Sequence, residues 1–161
     1  MSTRRELKLE SALTSLNEVE RFVEEISDEY FLNDNYFGNI LISLTEAVKN
    51  AIIHGNKSDP KKIVHILFES RQEGLVFTVF DQGSGFDYKS YSDRNKLLDN
   101  PDMTGTGLML IHSLADEVKF QNKGRVLEMI FKITGIDDRV IDQRYRLMNK
   151  FFKTVSKVKE K

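Results

Sequence analysis

Apolar residues change their spacing several times along this chain, and each change marks an element. Residues 5–10 contain the alternating stretch ELKLE, which predicts a short first strand. Ser11 follows as a candidate helix cap. Leu13, Leu16, Val19, Phe22, Val23 and Ile26 then recur at helical spacing. A polar and aromatic connection, 30–36, leads to a second and stronger helical stripe of Phe37, Ile40, Leu41, Leu44, Val48, Ala51 and Ile52. His54-Gly55-Asn56 reads as its stop, because glycine ends helices most easily. The β-branched and aromatic runs KKIVHILFESR (61–71) and LVFTVFD (75–81) flank Gln72-Glu73-Gly74 and predict an antiparallel hairpin. From 82 to 104 the periodicity fails and Gly, Ser, Asp, Asn and Lys dominate. A connection of that length inside a domain usually carries function or disorder, and a mobile loop is expected. Residues 107–114 read as a helix, EVKFQ (117–121) and VLEMIFKI (126–133) as a hairpin around Asn122-Lys123-Gly124, and 136 onward as a helix.

The resulting order is βα, α, ββ, loop, α, ββ, α. Strands paired as hairpins with helices between the pairs imply an α+β fold. It is a two-layer sandwich whose mixed, mostly antiparallel sheet is covered by helices on one face. At 161 residues there is room for one domain. The expected division is a core of 1–135 and a helical extension of 136–161. In that extension Val140, Ile141, Tyr145, Met148, Phe151, Phe152 and Val155 form an apolar stripe among lysines and arginines. The stripe needs a surface: the chain's own sheet edge or helices, a second copy in a homodimer, or another partner.

Charge narrows the partners. Lys and Arg number 24 against 25 Asp and Glu, a net charge of -1, so no global field draws the chain to nucleic acid or to an anionic membrane. The lack of cysteine rules out disulfides, thiolate metal sites and a cysteine nucleophile. MSTRRELKLESAL has no apolar core of signal-peptide type, and no apolar run approaches the roughly 18 residues that span a bilayer. A cytoplasmic protein without direct nucleic-acid or membrane contact is expected.

Candidate chemistry sits in three places. On the second helix Glu46 and Asn50 are four residues apart and share a polar arc, with His54 one turn on. Alone, that pair is equally an ordinary surface Glu and Asn. Asp81 ends an apolar strand ahead of Gly83 and Gly85. There its carboxylate either accepts a hydrogen bond from a ligand amine or closes a tight turn on its own backbone. Gly105-Thr106-Gly107-Leu108 opens the third helix, where free N–H groups and the helix dipole suit an anion such as phosphate. Neither a Walker A loop nor a complete dinucleotide fingerprint is present, and DQGSGFDYKSYS lacks the ligands of an EF-hand. Each segment is weak alone. It is their order, Glu/Asn helix, Asp-Gly-Gly turn, polar loop and Gly-rich helix start, that points to one nucleotide site.

In that order the chain resembles the GHKL ATPase superfamily. LTEAVKNAIIHGN looks like its N box, DQGSGFD like its first glycine box and GTGLMLI like its second. Among these proteins it is most similar to the stand-alone anti-sigma factor serine/threonine kinases. The resemblance implies the Bergerat fold and a site for ATP and Mg²⁺, with Glu46 as the general base and Asn50 as the metal ligand. It further implies that Asp81 reads the adenine amine, that Gly83 and Gly85 let the backbone pass the nucleotide and that Phe86 walls the base. Gly105, Thr106, Gly107 and Leu108 would lie against the phosphates beneath a lid of 82–104, which carries Lys89, Arg94 and Lys96. Implied partners are a STAS-type anti-sigma-factor antagonist as phosphoacceptor and a sigma factor. The alternatives are a non-catalytic ATP-dependent binding switch of the same fold or a histidine-kinase-like ATPase domain. One departure stands out: GRVLEMIFKI has Arg125 where the family commonly has a threonine near the adenine. His54 reads as a helix-end residue, and His65 and His112 have no partner signature.

Overall fold

The computed structural model describes residues 4–85, 106–133 and 138–159. The elements are β1 (Arg4–Glu10), α1 (Leu16–Tyr30), α2 (Asp34–Asn50), β2 (Ile63–Arg71), β3 (Gly74–Phe80), α3 (Thr106–Leu114), β4 (Glu117–Gln121), β5 (Val126–Phe131) and α4 (Asp138–Lys159). The five strands form one sheet in the order β1-β2-β3-β5-β4. Every pairing among them is antiparallel, so the mixed character expected of the sheet is not found among the described residues. The α+β order of the elements matches the expectation.

Alternation along the strands sends one set of side chains to the helices. Phe68, Phe77 and Met129 are in register across β2, β3 and β5, as are Ile66, Val79 and Leu127. These residues join Val23, Ile26, Ile40, Leu44 and Val48 of α1 and α2 in one buried core. Each such side chain contributes about 1.5–3 kcal/mol through burial. Phe68 and Phe77 meet at a tilt with centroids 5.1 Å apart and Phe131 meets Phe77 edge-on, so aromatic pairs knit the central strands together. Because the core grips β3 at the sheet's centre, whatever the C-terminal end of that strand carries is held rigidly.

Two local expectations are corrected. Ser11 caps no helix: α1 starts after a short 3₁₀ turn at Leu13–Ser15, and the Ser11 hydroxyl is buried, donating to the Lys62 carbonyl at 2.7 Å. His54-Gly55-Asn56 is not a simple stop either. After Asn50 the helix widens into a π-turn, Ala51–Gly55, and Gly55 is not in a left-handed conformation. A left-handed cap does end α1, but its residue is Phe31 (φ 53), which is 94% exposed.

The tail packs on the chain's own helices. Met148 is buried with Ile42 of α2 and Leu114 of α3, and Leu147 and Phe151 pack against the same cluster. A buried ion pair, Arg144 to Asp116 at 2.9 Å, fastens α4 to the residues just after α3. Tyr145 and Phe152, placed on the predicted stripe, are largely exposed instead. The side chains of Val140, Ile141 and Val155 lie outside the described residues.

Candidate functional site

α2 supplies the first wall. Its start is fixed by Asn33, whose side chain accepts a hydrogen bond from the Tyr36 amide at 3.0 Å. Three turns on, Glu46 is mostly enclosed, with Lys49 at 3.7 Å from its carboxylate. Asn50 lines a cleft. The π-turn that follows re-aims the backbone so that His54, Gly55 and Lys57 also face the cleft. Such single π-turns recur at functional sites because they shift side chains off the regular helical faces.

β3 supplies the second wall. Asp81 follows its last residue and donates its amide to the Arg125 carbonyl at 3.0 Å, which ties the strand end to β5. Oδ1 of Asp81 accepts from the Gly83 amide at 2.8 Å. The turn-closing reading of Asp81 therefore holds on Oδ1, while its second oxygen has no protein donor among the described residues. Burial pushes the Asp81 carboxyl above its ordinary range, and the Gly83 amide, Arg125 and Lys62 offset part of that rise. A Cβ on Gly55 would lie 2.5 Å from the Asp81 carboxylate, and one on Gly83 would collide with the Gly55 carbonyl. These two glycines are required by close approach of the two walls.

Asn56, which the sequence pattern presented only as part of a helix stop, locks the walls together. It is fully buried and donates to the Ser11 hydroxyl at 2.8 Å and to the Ile63 carbonyl at 3.2 Å, while its oxygen accepts from the Gln82 amide at 2.7 Å. Its place at the end of LTEAVKNAIIHGN gives no sign of this locking role. Its role depends on three segments that meet only in the fold.

α3 supplies the third wall. A Cβ on Gly107 would lie 2.7 Å from Oε2 of Glu46 and 3.6 Å from Nδ2 of Asn50, so the first turn of α3 abuts the polar arc of α2. The cleft between the walls has a volume of about 270 Å³. Ala47, Ala51, Val79, Leu108, Phe120 and Leu127 give it an apolar lining, with Asn50, Asp81 and Arg125 as polar groups. That mixture suits a flat heteroaromatic ligand fixed by few hydrogen bonds, and the volume is slightly below the usual roughly 300–1,000 Å³ of small-molecule sites.

Of the candidate residues, Asn50, Asp81, Gly85 and Leu108 line this cleft, Glu46 and Gly107 meet at its edge, and Gly83 backs Asp81. Thr106 is the first residue of α3. Phe86 and Gly105 lie outside the described residues, as do Lys89, Arg94 and Lys96 and the rest of the lid beyond Gly85. His54 lines the cleft, whereas His65 stacks on Phe80 and pairs with Glu6 at 3.5 Å on the other face of the sheet. Arg125 also reaches the cleft, its guanidinium held by the Asn122 carbonyl (3.3 Å) and side-chain oxygen (3.2 Å). Among the described residues no cluster of three or more His, Asp or Glu side chains could cage a metal. A Mg²⁺ bound through phosphates needs only one or two protein oxygens and water, so Asn50 and the nearby Glu46 fit that ion.

An antiparallel sheet backed by helices, with a Glu/Asn helix facing an Asp-Gly turn across an apolar cleft, defines an ATPase-type nucleotide-binding domain. Residues 9–131 match the model of the histidine kinase-like ATPase domain, and the chain belongs to that family. It is similar to Serine-protein kinase RsbW of Staphylococcus aureus (strain MSSA476), at 33% identity over 96 residues, 55% of this chain and 60% of that one. It is also similar to Serine-protein kinase RsbW of Staphylococcus epidermidis, at 34% identity over 98 residues, 55% of this chain and 61% of that one. The match thus spans about three-fifths of the length of these relatives. Among the described residues no helix is long and apolar enough to cross a membrane.

Proposed function

We propose that this protein is a Mg-ATP-dependent serine/threonine kinase of the anti-sigma factor type, acting on a seryl or threonyl hydroxyl of a STAS-type antagonist protein. One observation carries this reading: the first turn of α3 abuts Glu46 and Asn50 at the edge of a cleft that Asp81 also lines. A base-reading carboxylate, a metal ligand, a general base and an anion-binding helix end thus share one site. The similarity to relatives named as serine-protein kinases supports the same assignment.

In this mechanism Asp81 accepts the adenine amine on its free oxygen, and the apolar lining excludes water from the base. Asn50 offers its amide oxygen to Mg²⁺. Bound Mg-ATP supplies the transferable phosphoryl group. The N-terminal N–H groups of α3 favour the negative charge of the phosphates. Glu46 orients the attacking hydroxyl and accepts its proton, a role that needs hydrogen-bond reach in the closed complex. Phosphoryl transfer depends chiefly on positioning and charge neutralisation, so this small set suffices.

The test is Glu46→Gln. Label from γ-labelled ATP on the serine or threonine of a purified STAS-type partner should fall by at least 100-fold, the usual weight of a general base being roughly 10²–10⁴. ATP affinity should stay within a few-fold. Undiminished transfer would overturn the role of Glu46. A second reading, an ATP-dependent binding switch without transfer, draws on the ion pair between Lys49 and Glu46, which ties up the carboxylate. It predicts that Glu46→Gln leaves partner regulation intact and that wild type never labels the partner.

A further inference from the structure

We propose that the C-terminal helix α4 is a positioning element for phosphate binding, and that Arg144 acts through Asp116 and α3 to hold Gly107 against Glu46. The inference rests on the nucleotide-site reading above and extends it to a part of the chain with no contact to the cleft among the described residues.

α3 is only nine residues long, and its two ends have different duties. Its first turn abuts Glu46 and Asn50. Just beyond its last turn Asp116 takes two bonds at once: Oδ1 accepts Arg144 of α4 at 2.9 Å, and Oδ2 accepts the Lys132 amide after β5 at 2.7 Å. The Asp116 amide also reaches the Ile130 carbonyl at 2.9 Å. Asp116 therefore joins α3, the sheet and the tail. α3 lies chiefly along α2 and is also held by the sheet and by α4. Leu108, Ile111 and Ala115 belong to the core against the sheet, while Leu110 and Leu114 pack with Met148, Leu147 and Phe151 of α4 and its neighbours.

A helix this short is not stable alone, since isolated helices below roughly 12–15 residues are marginal in water. Its pose is set chiefly by α2 and the sheet, and α4 adds the Leu114–Met148 contact and the Arg144–Asp116 pair at its C-terminal end. Among the described residues, Arg144 is the only charged group of the α4 grip that is itself buried, its side chain being 6% exposed, and its partner Asp116 is 13% exposed. A bond between such enclosed charges fixes register along α3 in a way that greasy contacts do not, because a slide of even one ångström breaks it. Loosening it shifts the far end of a rigid nine-residue rod, where glycine approaches carboxylate too closely to tolerate a side chain.

The experiment compares wild type, Arg144→Met, Arg144→Lys and Asp81→Asn by titration calorimetry with Mg-ATP, Mg-ADP and adenosine, at a temperature where circular dichroism finds each fully folded. Arg144→Met is expected to weaken Mg-ATP by about 10-fold and Mg-ADP less, and to leave adenosine within 2-fold. Arg144→Lys should recover part of the loss. A merely structural Arg144 lowers the melting temperature but leaves the ratio of ATP to adenosine affinity unchanged, and that result overturns the proposal. Should Arg144→Met fail to fold, Met148→Ala loosens the same grip without removing a charge, and the same shift in ratio is expected. Asp81→Asn separates the two levels: if it weakens all three ligands while the Arg144 and Met148 variants bind as wild type, the site stands and the positioning role falls. If Asp81→Asn changes nothing, the site itself is wrong.

Discussion

Substituting Asp81 by Asn keeps the size of the side chain and changes one atom, so its effect can be worked from the geometry. Oδ1 of Asp81 already accepts the Gly83 amide at 2.8 Å. An asparagine has a single oxygen, and keeping the turn closed commits it to Gly83. Its NH₂ then replaces the free carboxylate oxygen and confronts the adenine amine, donor against donor. A hydrogen bond involving a charged group is worth about 1.5–3 kcal/mol, so ATP should bind roughly 10- to 150-fold more weakly. Stability should move the other way. Burial raises the folded-state pKa of Asp81 above its ordinary 3.8, meaning that the fold disfavours the ionised form. The stabilising contribution of such a group is present below its unfolded pKa and is lost as pH rises through the folded value. At pH 7 the wild type bears the cost of a half-buried carboxylate that Asp81→Asn lacks, so the variant should melt at or above the wild-type temperature, and the difference should vanish below about pH 3.8. Calorimetric titration and scanning calorimetry of the two proteins check both signs. Equal ATP affinity, or weak binding accompanied by a lower melting temperature, would refute the reasoning.

Other consequences are testable in the same preparations. Asn56→Ala removes three side-chain hydrogen bonds and should cost about 1.5–4.5 kcal/mol, at roughly 0.5–1.5 kcal/mol each. Denaturant titration should show it, together with weaker ATP binding, because the Asp81 turn loses its anchor to α2. An unchanged midpoint would remove Asn56 from that role. Phe31→Gly relieves a left-handed residue that packs against nothing, and scanning calorimetry should find a gain of about 0.5–1 kcal/mol. A lower melting temperature would mean that Phe31 makes contacts its 94% exposure does not suggest.

Much of this architecture is legible in the chain because it follows from local periodicity. The α2 stripe and the β2–β3 run announce themselves, and the order of the three glycine- and acid-bearing segments points to one nucleotide site before any coordinate is known. Residues whose meaning is purely tertiary were not legible. Ser11 looked like a cap because serine at a strand-to-helix junction usually is one, yet its hydroxyl is claimed by Asn56 and Lys62, both far along the chain. Gly55 looked like a helix terminator, whereas its small size matters for the approach of Asp81. Arg144 belonged to a basic tail in which every cation appears alike, and only the position of Asp116 singles it out. The mostly antiparallel sheet is legible from its hairpins, whereas the order β1-β2-β3-β5-β4 that joins them among the described residues is not a local property.

The central claim is that one cleft between α2, the end of β3 and the start of α3 holds Mg-ATP, and a crystal structure with Mg²⁺ and a non-hydrolysable ATP analogue tests it most directly. The adenine amine is expected within hydrogen-bond distance of Asp81, with Mg²⁺ on the Asn50 amide oxygen and the phosphates between Glu46 and the first turn of α3. Nucleotide bound elsewhere, or a base turned away from Asp81 with the metal off Asn50, would contradict the account.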